Sequence, residues 1–347
     1  MPPFLSKAIL FGAGTLGLHA LIFFWVPLPA SWIERIHARG IFPILRYVLG
    51  TPLSLLPFSF SELLILLLTL LVMLTLGRWA LGKSLSTLPS LLLWTLLVLG
   101  HLYFLGFGWL YRRPSLMARL DLPHPSITQA SLGEVALSLA KKAKRLRCPP
   151  PAPDRLPALS LEAVQAVLPL LHTTPLPPTR LKAVIPRGLL LTFGVSGIFS
   201  PFTQEAHFDP GLDPLDLAFV TAHECGHLAG FAPENQASFV AWLALEHSAQ
   251  DFLRYVAAVT ALAHLETYLN PEQRRKMREV AGSAVWADRR RARERFASFR
   301  WNLGAKASGM FYDRFLKAQG VSEGLRSYNT FVLLILAWKE KTAKSPR

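Results

Sequence analysis

Apolar positions follow two regimes along this chain. Up to residue 111 they come in nearly unbroken runs. No charged residue stands between Lys7 and Glu34, which predicts a first spanning helix over 8–28. The run LLILLLTLLVMLTLG after Glu62 predicts a second over 62–80, and LPSLLLWTLLVLGHLYFLGFGWLY between Lys83 and Arg112 a third over 86–108. Each approaches the ~20 residues that cross ~30 Å of hydrocarbon. The first run exceeds the ~7–15-residue core of a signal peptide and two more follow it, so it reads as an anchor. Trp109 and Tyr111 close the third run, where amphipathic rings favour the headgroup level. Residues 47–61 are also charge-free, but Pro52 and Pro57 break them into an interfacial or re-entrant piece.

Beyond Arg113 the apolar residues become spaced. Leu132, Val135 and Leu139 recur at helical intervals in SLGEVALSLAKKAKRLR (131–147), and CPPPAP (148–153) stops that helix. Residues 158–172 suit another short helix. The segment 181–208, rich in Val, Ile, Phe and Gly, predicts one or two strands with a turn near Gly194 to Gly197. From Asp213 the period is helical, with breaks at Gly230, Pro271 and Gly320. The expected fold class is mainly α. A membrane region (1–111) is followed by an amphipathic segment and Pro-rich linker (112–157), then a mostly helical, zincin-like domain with a small β element (158–347).

Composition narrows the function classes. With 51% hydrophobic and 17% charged residues, disorder is excluded. Two cysteines, Cys148 and Cys225, cannot make a disulfide scaffold. Cys225 reads as a packing residue and Cys148 as a free surface thiol. The formal net charge of +15 suits an anionic lipid surface as well as nucleic acid. The basic runs at 273–280 and 287–296 interleave Glu272, Glu279, Asp288 and Glu294, the pattern of a solvated or headgroup-facing helix, and no nucleic-acid motif accompanies them. The expected partners are therefore a lipid bilayer and a peptide or protein substrate, not nucleic acid. Basic residues balance on the two sides of the spans. A cytoplasmic N-terminus with three spans places residues 112–347 on the outer side.

Definite chemistry sits in TAHECGHLAGF (221–231). His223 and His227 are i and i+4, one turn apart on one helix face, where two imidazoles can meet one Zn²⁺. Glu224 lies beside them, placed to take a proton from water without ligating. Asp213 suits the N-cap, Pro214 the first helical position and Gly230 the left-handed C-terminal position. A catalytic zinc needs a third protein ligand. Glu234, seven residues after His227, and Glu246, eighteen intervening residues after it, both qualify. Tyr255, Tyr312, Tyr328 and His207 are candidates for stabilising an oxyanion.

The runs SGIFSPFTQEAHF and HECGHLAGFAPENQASFVAWLA, with the tail YDRFLKAQGVSEGLRSYNTFV (312–332), resemble domain-of-unknown-function family 3810, bacterial membrane proteins with N-terminal spans and an HExxHxxG motif. The resemblance implies zinc roles for His223, Glu224 and His227, favours Glu234 over Glu246, and implies a bacterial plasma-membrane location. Glu234-x-x-Ala237 is also similar to the third-ligand motif of integral-membrane zinc proteases. Gln236 and Ser238 depart from the family pattern, which has a second acid and an Asn there. The site residues themselves point to zinc-dependent peptide hydrolysis by Glu-activated water, and Gly197 to Glu205 reads either as an edge strand for an extended peptide or as a plain sheet strand. The alternative is a non-catalytic membrane protein whose zinc is structural or which binds a protein partner.

Overall fold

The computed structural model describes residues 3–82, 88–125, 128–319, 321 and 331–344. The long apolar runs form helices α1 (Pro3–Trp25), α2 (Phe60–Ala80) and α3 (Leu88–Gly106). Two described helices, Phe60–Ala80 and Leu88–Arg112, are long and apolar enough to cross a membrane, whereas the apolar stretch Ile9–Trp25 is shorter. On α2, Ile65, Leu66, Met73 and Leu74 are all exposed. The start of the expected third span, residues 86 and 87, lies outside the described residues.

Of the two prolines expected to break residues 47–61, Pro57 lies in a non-helical break at 56–59, whereas Pro52 does not interrupt the helix. The chain stays helical from Ala30 to Leu55, with wide π-type turns at Ile33–Ile41 and Arg46–Gly50. Pro43 and Pro52 each stand directly after one of these wide turns, at the start of the α-helical piece that follows.

The chain divides into two units, the first being Met1–Arg113 with Pro177–Thr179 and Ser200–Glu205. In it, Phe23, Ile33, Phe104 and Trp109 form an apolar cluster. Arg113 grips Glu34 through two bonds, at 2.7 and 3.0 Å. His101 bonds Thr15 (3.1 Å) and the Leu97 carbonyl (2.8 Å), with His19 packed beside its ring, so these histidines serve helix packing. The Glu205 carboxylate accepts the Phe60 N–H (3.1 Å) and the Ser61 N–H (2.8 Å) at the start of α2. A helix N-terminus has no partners of its own for these groups and favours negative charge.

The second unit comprises Pro114–Leu176, Arg180–Phe199 and Ala206–Arg347. Its longer helices are α4 (Gln129–Leu146), α5 (Leu156–Val167), α6 (Pro214–Leu228), α7 (Glu234–Glu246), α8 (Asp251–Leu265), α9 (Pro271–Ala281), α10 (Ser283–Ala297), α11 (Asn302–Ala318) and α12 (Phe331–Lys344). The amphipathic segment expected at 131–147 falls on α4. Its apolar stripe, Leu132, Ala136, Leu139 and Ala143, is buried against α8 and α9. Part of the positive charge on α9 and α10 is met inside the unit, Arg278 pairing with Glu266 and Arg291 with Asp213 and Asp288, which Arg147 at the end of α4 also joins.

Three short strands, β1 (Lys182–Ala183), β2 (Gly197–Ser200) and β3 (Glu205–Phe208), form a sheet in the order β1-β3-β2. β1 runs parallel to β3, with Lys182 opposite His207. The turn expected near Gly194 is present ahead of β2, with Gly194 left-handed at φ 77°, and a second turn at residues 201–204 joins β2 to β3, with Gln204 left-handed at φ 56°. Just after β3 the fully buried Asp209 carboxylate takes the N–H groups of Gly211 (2.7 Å), Gly188 (2.8 Å), Leu190 (3.0 Å) and Leu191 (3.3 Å). Gly188 has φ 88°, the conformation this return of the chain requires. Asp209→Ala strands these donors, each at about 1–3 kcal/mol. The expected outcome is destabilisation by about 3 kcal/mol or more, read as a fall in Tm of the full-length protein, with a smaller fall for Asp209→Asn.

Candidate metal centre

Helix α6 is delimited as its sequence demands. The Asp213 side chain accepts the Leu215 N–H at 3.1 Å, and Pro214 takes the first helical position. At the other end Gly230 is left-handed at φ 91°, the Gly230 N–H bonds the His227 carbonyl (2.9 Å), and the Phe231 N–H reaches the Gly226 carbonyl (3.1 Å). This Schellman closure turns the chain directly into α7, whose first residue is Glu234. The two helices come close because Gly226 faces Ala237. A Cβ on Gly226 would lie 3.1 Å from both the Ala237 Cα and its carbonyl oxygen.

This hairpin brings His223, His227 and Glu234 together, with one donor atom from each within 4.8 Å of the others. His223 Nε2 lies 3.0 Å from Glu234 Oε2, and His227 Nε2 lies 3.5 Å from Glu234 Oε1. The imidazole planes are nearly perpendicular, at 87°. Each ring's other nitrogen is engaged. His227 Nδ1 donates to the Phe231 carbonyl (2.9 Å), and His223 Nδ1 shares a hydrogen bond with Ser238 Oγ (3.1 Å). Such outer bonds fix the rings with Nε2 turned toward Glu234. Ser238 thus keeps contact with the cluster. The Tyr312 hydroxyl, from α11, donates to Glu234 Oε1.

Charge is distributed unevenly. Burial opposes the Glu234 charge, but the two imidazoles overcome this and hold its carboxyl well below the usual range. Burial also disfavours the His227 cation, yet Glu234 outweighs it and raises His227 to about 9. His223 is lowered, chiefly by burial. In the metal-free protein the cluster is therefore an ionised Glu234 paired with a protonated His227 beside a neutral His223. Two imidazoles and one carboxylate, convergent and buried, are a donor set that can hold a divalent cation.

Glu224 stands beside this group without joining it. It is 5% exposed, and its Oε2 has no hydrogen-bond partner among the described residues. Burial raises its carboxyl to about 8, with the His227 charge opposing and Glu234 adding. Gly197 at the start of β2 lies against it. A Cβ there would fall 2.7 Å from Glu224 Oε1 and 2.8 Å from the His207 carbonyl oxygen.

The other sequence candidates lie elsewhere. Glu246, at the far end of α7, pairs with Lys142 at 2.5 Å. The Tyr255 hydroxyl donates to Asp288 at 2.7 Å. His207 on β3 bonds the Ile198 carbonyl at 3.2 Å. Tyr328 lies outside the described residues. Cys225 is buried and Cys148 half-buried, both as free thiols. Gly197 is the contact that sequence reasoning missed, since no local signal ties a strand glycine to a helix glutamate.

Gly197→Ala should destabilise the protein by about 1–3 kcal/mol, because backbone or Glu224 must shift. Gly309→Ala on α11, where a Cβ meets nothing within 4 Å, should be neutral or stabilising by about 0.5–1 kcal/mol. Paired thermal denaturation curves check the contrast.

No curated protein and no solved structure matches the chain. The model of the family described as "Protein of unknown function (DUF3810)" matches residues 37–336, and the chain belongs to that family.

Proposed function

We infer that the protein is a membrane-anchored, zinc-dependent peptidase in which His223, His227 and Glu234 hold the metal and Glu224 is the general base and acid. The observation that carries this reading is a buried carboxylate oxygen with no partner, on Glu224, next to three convergent donors. When bound, zinc supplies Lewis-acid polarisation of a carbonyl and of the attacking water. Glu224 takes the proton of that water and returns it to the leaving amine. A carboxylate whose burial makes it more basic is suited to this transfer near neutral pH. β2 is the edge strand of the sheet and begins on Glu224, so an extended peptide added along it would run past the reacting group. Tyr312 positions Glu234 through its hydroxyl bond.

The exposed leucines and isoleucine of α2 support a lipid setting, because a helix with such a surface needs an apolar solvent. α1 serves as a third span in this reading, and residues 112–347 face the outer side of a bacterial plasma membrane. A structural zinc site closes its coordination with four protein ligands. Here the described residues supply three, which favours an open, catalytic site over the structural alternative.

Two outcomes follow. Glu224→Gln should abolish peptide cleavage and keep zinc bound, whereas Glu234→Ala should lose zinc and Glu246→Ala retain it. Metal analysis alongside a cleavage assay decides this, and full activity in Glu224→Gln would end the proposal. Second, His227 carries a proton below about 9 in the metal-free protein, and a ligating imidazole must be neutral. Zinc binding should release a proton, and affinity should fall as pH is lowered from 9 toward 6. Calorimetry in buffers of different ionisation enthalpy measures the release.

A further inference from the structure

One stripe of α6 carries more than the two imidazoles. Asp216, Val220, His223 and His227 succeed one another at i, i+4, i+7 and i+11, with Phe219 beside them. Along the first half of that stripe a cavity of about 270 Å³ lies between α6, α8 and α10. Leu215, Phe219 and Val220 line it from α6, and Val259, Thr260 and His264 from α8. It adjoins the metal cluster at two points. The Phe219 ring lies 6.5 Å from the His223 ring, and Ser196, also in the lining, precedes the Gly197 that packs on Glu224.

The third wall is charged. Arg289 and Arg293 line the cavity from α10, one turn apart on the same face. Their neighbour Arg291 is fully engaged by Asp213 and Asp288. Arg289 makes a single long contact, 3.5 Å to the Val259 carbonyl, and stacks over Trp286. No ion pair joins Arg289 or Arg293 to a carboxylate of the described residues. Asp216 is the only acid in the lining and likewise has no hydrogen bond or ion pair there. Burial, followed by the Arg293 charge, lowers Arg289 to about 10, so it remains cationic at neutral pH. Burial and then Asp213 raise Asp216 to about 6, with both arginines opposing, so it is mostly ionised there. His264, lowered to about 4 by burial and Arg289, adds no charge. Glu266, whose charge also reaches Arg289, is paired with Arg278, so the two guanidiniums and the one carboxylate in the lining leave a single unbalanced positive charge.

The geometry points to a substrate subsite: the cavity receives one carboxylate of the peptide, clamped by Arg289 and Arg293, and so makes the protein selective for an acidic group near the scissile bond. This rests on the reading of the adjacent cluster as a peptidase centre. A single carboxylate neutralises the one unbalanced charge, whereas a phosphate dianion would overshoot it. The volume suits one side chain or terminal residue on an apolar floor. Guanidinium forks match carboxylates in two-point bonds, and a half-enclosed cation lacking such a partner is costly. The carboxylate can belong to an Asp or Glu side chain or to the peptide's C-terminus.

The test uses full-length, zinc-loaded Glu224→Gln protein and fluorescent, N-acetylated alanine-based heptapeptides. One set carries a single Glu or Gln at each position in turn with an amidated end, and a second compares free with amidated C-termini. Anisotropy should show binding at least about tenfold tighter for a Glu peptide or for a free terminus, the two sets telling these sources apart. Adding Arg293→Gln, at an exposed position, or Arg289→Gln should erase the preference without changing zinc content, and Arg289→Lys should restore part of it. Equal binding of charged and neutral peptides, or a preference that survives both Arg→Gln changes, overturns the subsite. Wild-type cleavage of the same peptides separates the two readings. Cleavage without charge preference removes the subsite and leaves the peptidase. Arginine-dependent binding with no cleavage of any peptide removes the peptidase and leaves the subsite.

Discussion

A carboxylate buried between two imidazoles is the interaction on which the second unit turns. Glu234 is 4% exposed, and an ionised carboxylate in that position is tolerable only when its oxygens are met by donors. His223, His227 and Tyr312 meet them. The backbone makes this possible by bringing α6 and α7 together with no side chain between Gly226 and Ala237, and by closing α6 with a left-handed glycine. A bulkier residue at either helix position would separate the imidazoles from the carboxylate before any chemistry was at issue.

Glu224 illustrates how the same surroundings treat two acids differently. Both are buried, one is bonded to the imidazoles and the other is not, and their proton affinities move in opposite directions. Two carboxyl groups with separated affinities on one short stretch of chain are the usual basis for dividing a ligand's role from a proton carrier's. β2 adds a steric element, since its first glycine leaves Glu224 little freedom to swing away.

The limits of α6 were legible in the sequence because Asp213, Pro214 and Gly230 each have a local physical reason for their place. The paired histidines were legible because helical spacing alone puts them on one face. Glu234 and Glu246 were not separable by spacing, and the pairing of Glu246 with Lys142 depends on where α4 packs, which is tertiary information. Tyr312 was one candidate among four and reaches the cluster from a helix 78 residues along the chain. Asp209 gave no signal, since its partners are backbone groups of an irregular turn. The apolar runs marked the long helices well. The helical path through Pro52 was hidden because the wide turn Arg46–Gly50 before it has no local sequence signature.

The carboxylate that caps α2 comes from Glu205, 144 residues downstream of Ser61. The ribosome therefore releases all of α2 and α3 long before it makes the group that completes the start of α2. During that interval the Phe60 and Ser61 amides must be served by something else, most simply by water at the end of the helix. The first unit is complete only after the chain has passed through α4 and α5, and before α6 and the helices that follow it are made.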